Sequence, residues 1–133
     1  AYVKDKIKAL LNFHGWFTWM PGANGFGQQG VHDHLALKDG IFISVDAKFG
    51  NNKPSAVQKA FAGHVIANGC DAFCVNEKTI DHLAMFLESF QFSIAWQQEG
   101  NDPETLPQEH GARMLNAIAV LTAPWGEKPE ILA

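Results

Sequence analysis

Val3, Ile7, Leu10, Leu11 and His14 recur at helical spacing, so residues 3–14 read as an amphipathic helix that Gly15 ends. Residues 16–20 are aromatic and β-prone, which predicts a first strand. A loop rich in backbone breakers follows over 21–27. Further strands are expected over 32–37 and 41–48, with Asp39-Gly40 as the hairpin turn between them. After a loop at 50–54, Ser55 starts a helix with Gln58 three residues on, the spacing of a capping box. Val57, Phe61 and Val65 form its apolar stripe, and Asn68-Gly69 closes it. Residues 72–75 read as a short buried strand. Thr79 is the expected N-cap of a helix whose Ile80, Leu83, Phe86, Leu87 and Phe90 face the core. The polar stretch 97–107 reads as a linker or surface loop, and 108–121 as a last helix. The tail, with Pro124, Gly126 and Pro129, reads as surface.

The predicted order is α-β-β-β-α-β-α. A helix between the third and fourth strands allows a βαβ crossover, so a mixed sheet is expected. The chain has 133 residues and is 47% apolar, which suits one domain with a real core. Residues 1–90 form the expected core, and 91–133 a helical C-terminal extension of the same domain. No apolar run approaches the roughly 18 residues of a membrane span. Lys4, Lys6 and Lys8 interrupt any leader-like stretch. The expectation is a soluble, cytoplasmic protein with no membrane partner. Cys70 and Cys74 are spaced C-x3-C without a second pair, and read as reduced, largely buried thiols rather than a zinc site.

The net charge of −4 speaks against a polyanion partner until its distribution is considered. Residues 1–67 carry seven lysines against four aspartates, whereas 68–133 carry three basic residues against ten acids. A polyanion would bind through the first half.

The chemistry concentrates in Val45-Asp46-Ala47-Lys48, at the end of an apolar strand. Alternation points Asp46 and Lys48 to one face. Asp33, on the preceding hairpin arm, can point there too, with His32 and His34 turned away. Two converging carboxylates and the Ala47 carbonyl offer the hard oxygen ligands that Mg²⁺ prefers. Such a site can polarise a phosphodiester and activate water, with Lys48 positioning that water or offsetting charge. A D-x-K triplet is also common as a surface ion pair. A zinc pair from His32 and His34 is an alternative. Trp16, Trp19 and Phe26 are candidates for stacking on bases, against core packing. His64 and His82 read as structural.

Gly30-Val31-His32-Asp33, Val45-Asp46-Ala47-Lys48 and Ser55-x-x-Gln58 together resemble the PD-(D/E)xK nucleases, most closely the virus-type replication-repair nuclease branch. The resemblance covers about residues 3–76. It implies a restriction-endonuclease-like α-β-β-β-α-β core. It implies Asp33 and Asp46 as metal ligands, Lys48 as the catalytic lysine, Gln58 near the active site and Gly30 as the glycine before the acidic motif. It further implies a Mg²⁺- or Mn²⁺-dependent endonuclease acting on branched DNA, junctions or flaps in bacterial or phage DNA replication and repair, often as a homodimer. Gly30, His32, Lys53 and Lys59 are the expected DNA contacts. His32 stands where the branch has proline, Asp46 where it more often has Glu, and the first helix offers only Asp5 where a metal-facing Glu is usual. Two other readings remain open: a nucleic-acid-binding module without efficient catalysis, and a protein-interaction domain using the acidic second half.

Overall fold

The computed structural model describes residues 2–22 and 29–126. Phe26, most of the loop expected over 21–27 and the tail beyond Gly126 lie outside them. The elements are α1 (Tyr2–Phe13), β1 (Phe17–Trp19), β2 (His34–Lys38), β3 (Ile41–Ala47), α2 (Ala56–Ala67), β4 (Asp71–Val75), α3 (Ile80–Gln98) and α4 (Gln108–Thr122), followed by a 3-10 turn, Ala123–Trp125. The order matches the expected one through α4. None of the described helices is long and apolar enough to cross a membrane.

The four strands form one mixed sheet in the order β1-β2-β3-β4. β1, β2 and β3 run antiparallel, whereas β4 lies parallel to β3 after the α2 crossover. Asp39 (φ 50°) and Gly40 (φ 80°) both take the positive φ of a tight type I′ connection, which explains why Asp-Gly stands at the hairpin.

Helices cover both faces. Val3, Ile7 and Leu11 of α1 and Leu83, Phe86 and Leu87 of α3 bury Ile43, Val45, Phe73 and Val75 on one face. α2 lies on the other, where Ala62 and Val65 pack with Ala72 and Cys74. Alternation along β3 therefore sends Ser44 and Asp46 towards α2 and Val45 towards α1. Cys74 is buried and Cys70 half-buried, both free thiols, as expected. Burial pushes the Cys74 thiol up to about 11, which keeps it protonated and unreactive.

Three boundaries differ from the sequence reading in ways that matter. The second strand starts at His34, not 32, because the chain bends at Asp33. α3 runs unbroken to Gln98 and so crosses the expected division at residue 90. The end of the chain is not all surface: Trp125 is buried, and its indole N–H donates to the Ala72 carbonyl at 2.8 Å. It caps a polar group of an outer strand of the sheet. Thr79 also differs from a simple N-cap. Its hydroxyl makes no cap bond to α3 and instead accepts from the Asn76 N–H at 3.0 Å.

Candidate active site

The site forms where β3 ends, between its antiparallel neighbour β2 and its parallel neighbour β4. Asp46 is wholly buried. Its Oδ1 accepts from the Asp33 backbone N–H at 3.3 Å, and the Lys48 ammonium stands 3.1 Å from Oδ2. That ammonium lies off the direction of a well-formed hydrogen bond, so Oδ2 is left with an ion-pair partner only. Asp33 crosses back to β3, where its Oδ2 accepts from the Ala47 N–H at 2.9 Å. Asp33 is thus tied to β3 twice, through its own N–H to Asp46 and through its carboxylate to the Ala47 N–H, and the two carboxylates lie at one strand end.

Burial raises the Asp46 pKa first, and the neighbouring Asp33 charge raises it further. Lys48 pulls in the opposite direction without cancelling the rise. A cation placed between the two carboxylates would relieve both causes. Among the described residues no three His, Cys, Asp or Glu side chains gather into a ligand cluster, so the acidic centre is a pair.

The remaining expected residues divide into two groups. Gln58 caps α2: its Oε1 accepts from the Ser55 N–H at 3.0 Å, and its own N–H donates to the Ser55 hydroxyl at 3.3 Å. Lys53 and Lys59 are exposed, and neither takes part in an ion pair among the described residues.

His32 and Gly30, by contrast, do not face outward for DNA. His32 is wholly buried, stacked on Trp125 at 4.7 Å and edge-on to Phe61. Its Nε2–H donates to the Gln58 carbonyl at 2.9 Å, which leaves Nδ1 to accept from the Ser44 hydroxyl at 2.8 Å. Gly30 (φ +77°) presses against the first turn of α2, where an added Cβ would lie 2.2 Å from the Val57 carbonyl oxygen.

The bend at Asp33 also removes the zinc alternative. His34 pairs with Val45 and so lies on the α1 face, whereas His32 meets Ser44 on the α2 face. The two imidazoles diverge across the sheet. Of the aromatic candidates, Trp16 is buried in the core and Trp19 remains 38% exposed.

Lys4 was missed by the sequence reading. Its ammonium lies 3.5 Å from Asp33 Oδ1, so α1 presents a cation to the acid pair, while Asp5 is exposed. The available signal was its position next to Val3, at the margin of the buried stripe. Glu77 was missed too. Both its oxygens accept from the Gly50 N–H, at 3.1 and 3.2 Å, and pin the loop after Lys48.

The buried imidazoles predict a pH response. Burial pushes His32 down to about 4 and lowers His34 as well. The fold holds these rings neutral, whereas the unfolded chain protonates them near pH 6.5. The stability these two rings contribute is therefore complete above pH 6.5 and falls as pH drops towards 4. His32 contributes about 3 kcal/mol to that loss. Urea unfolding at several pH values should show this slope, and it should flatten in His32→Phe. An unchanged slope in the variant would assign the response to other groups.

No protein-family model matches the chain, and no curated protein matches it significantly, so its function is argued from the residues and their geometry.

Proposed function

We propose that the chain is a divalent-metal-dependent DNA endonuclease acting on branched or flapped DNA. One observation carries the reading: the carboxylates of Asp33 and Asp46 converge at the end of β3, with Lys48 beside them. The element order and mixed sheet suit a restriction-endonuclease-like core. The place in the fold suits it as well, since open α/β sheets bind ligands beyond strand ends where the connection pattern switches.

The residues fit a hard divalent cation. Asp46 Oδ2 lacks a hydrogen bond, the pair repels itself, and every candidate ligand atom is oxygen. In an extended strand the N–H and C=O of one residue face the same neighbour. The Ala47 N–H bonds Asp33, so its carbonyl is a reasonable third ligand. When bound, Mg²⁺ or Mn²⁺ would polarise the phosphodiester and acidify water. Asp33 and Asp46 would hold it, with Asp33 fixed by its N–H bond to Asp46 and by the Ala47 N–H bond to its carboxylate. Lys48, mostly buried, would place its positive charge beside the reacting phosphate and favour the charge that develops there. His32, Gly30 and the capped start of α2 set the position of Asp33 rather than touch substrate.

Calorimetric titration of Mn²⁺ into the protein and into Asp33→Ala tests the metal site. Binding to the first and a loss of at least about tenfold in the second are expected. Mg²⁺-dependent cleavage across a panel of flaps, junctions and duplexes then tests the activity. Equal metal binding by both proteins, or cleavage by neither metal form, would overturn the reading.

A second reading is favoured by Lys4. With Lys4 on Asp33 and Lys48 on Asp46, each carboxylate already has an ammonium partner. Such a self-neutralised site suits a module that binds nucleic acid without cutting it. It predicts DNA binding that needs no divalent ion and survives Asp33→Ala.

A further inference from the structure

A pocket of about 400 Å³ lies beside the acid pair, lined by Tyr2, Val3, Lys4, Ala47 and Phe49. Two of its lining residues contact that pair. Lys4 contacts Asp33 Oδ1 at 3.5 Å, and the Ala47 N–H bonds Asp33 Oδ2. Its aromatic walls are open to solvent, with Phe49 66% and Tyr2 55% exposed.

An exposed phenylalanine one residue beyond Lys48 contributes nothing to the core. Nor does it hang on a loose loop. The Gly50 N–H is held by the Glu77 carboxylate, and the Phe49 carbonyl accepts from the Asn52 N–H at 3.3 Å. Tyr2, which also lines the pocket, is steadied by the Lys6 ammonium, 5.1 Å from its ring centroid. The pocket therefore offers a held aromatic face, a cation at its rim and an immediate neighbour that suits a phosphodiester. The half of the chain that forms it carries seven lysines against four aspartates, the charge a polyanion requires.

We infer that this pocket is a stacking subsite for one unpaired nucleobase next to the scissile phosphate, an inference that rests on the nucleic-acid reading above. A base within a duplex has both faces covered by its neighbours, so only an unpaired base can lie against Phe49. Stacking is tolerant of base identity, because every base has a π face. The pocket thus selects structure rather than sequence: it favours substrates with a single-stranded segment adjoining the cleavage point, such as a flap, over intact duplex.

The test uses a flapped DNA carrying 2-aminopurine at the first unpaired position, a matched blunt duplex, and fluorescence titration in EDTA at low salt. The proteins are the wild type, Phe49→Ala, Phe49→Trp and Tyr2→Ala. The wild type should quench the probe and bind the flap more tightly than the duplex. Phe49→Ala should weaken flap binding by about tenfold, within the range of one base–aromatic stack, and leave duplex binding unchanged. Phe49→Trp should restore it. Tyr2→Ala, with its own thermal melt, should reproduce the selective loss. Unaltered flap binding in both alanine variants, or equal losses on flap and duplex, would overturn the subsite. The two readings separate cleanly. Phe49-dependent flap binding without cleavage by the wild type would uphold the subsite and remove the nuclease. Mg²⁺-dependent cleavage and flap affinity both untouched by Phe49→Ala would do the reverse.

Discussion

Asp46→Asn should sharply reduce metal-dependent cleavage and, in the same preparation, raise the melting temperature. The two effects have one origin. Asp46 is wholly buried and faces the Asp33 carboxylate, and both features raise its pKa. A carboxyl whose folded pKa lies above its unfolded value stabilises the fold below that unfolded value, and this is lost as pH rises through the folded pKa. At neutral pH the ionised side chain therefore opposes folding. The amide keeps the shape and the acceptor for the Asp33 N–H but removes the charge. Lys48 loses its partner, yet it retains some contact with water. The gain should be on the order of 0.5–2 kcal/mol. It should vanish below about pH 4, where the wild-type carboxyl is protonated in both states. Cleavage of a flapped DNA should fall by about 10²–10³-fold or more. Cleavage assays and thermal melts at pH 7 and pH 3.5 read all of this. Retained cleavage, or a lower melting temperature at pH 7, would show that Asp46 is a structural anion.

Gly30→Ala should have the largest effect on folding. The residue adopts φ +77°, which is unfavourable by about 1–2 kcal/mol for any side chain with a Cβ. The added methyl would also stand 2.2 Å from the Val57 carbonyl oxygen and 2.4 Å from its carbon. Those are backbone atoms in the first turn of α2, so no rotamer change relieves the clash. Forcing α2 away adds about 1–3 kcal/mol. The total, about 2–5 kcal/mol, corresponds to a fall of roughly 6–20 °C in melting temperature for a domain of this size. Thermal melts monitored by circular dichroism measure it directly. Gly40→Ala serves as the control, because its φ is also positive (+80°) but nothing lies within 4 Å of the added Cβ. If the two variants melt alike, backbone conformation alone explains glycine at position 30.

The elements that depend on neighbours in sequence were legible. The stripe Val3-Ile7-Leu11, the Asp39-Gly40 hairpin and the Ser55–Gln58 capping box all form as their spacing implies. The pair Asp46 and Lys48 sits as strand alternation requires. What escaped depends on tertiary placement. Period-two reasoning assumed that the strand ran through Asp33, but a bend there sends His32 to the α2 face and leaves His34 on the other. Gly30, read as a motif glycine, owes its identity to the backbone of a helix more than twenty residues away. Lys4 was not assigned to the site because nothing local shows that α1 crosses close to Asp33. Trp125 lies among proline and glycine, a composition that signals surface, yet it closes over β4 and His32.

The segment from Gly30 to Asp33 works as a tie rod between two anchors. At one end, Gly30 and His32 grip the Val57 and Gln58 backbone of α2; at the other, Asp33 grips Asp46 and Ala47 of β3. A push on the start of α2 must therefore reach the acid pair through four residues of chain. Lys53 and Lys59 stand on the outside of that same helix start. On the nuclease reading proposed above, a polyanion that settled on them would load the rod and so act on the spacing of the two carboxylates from a distance.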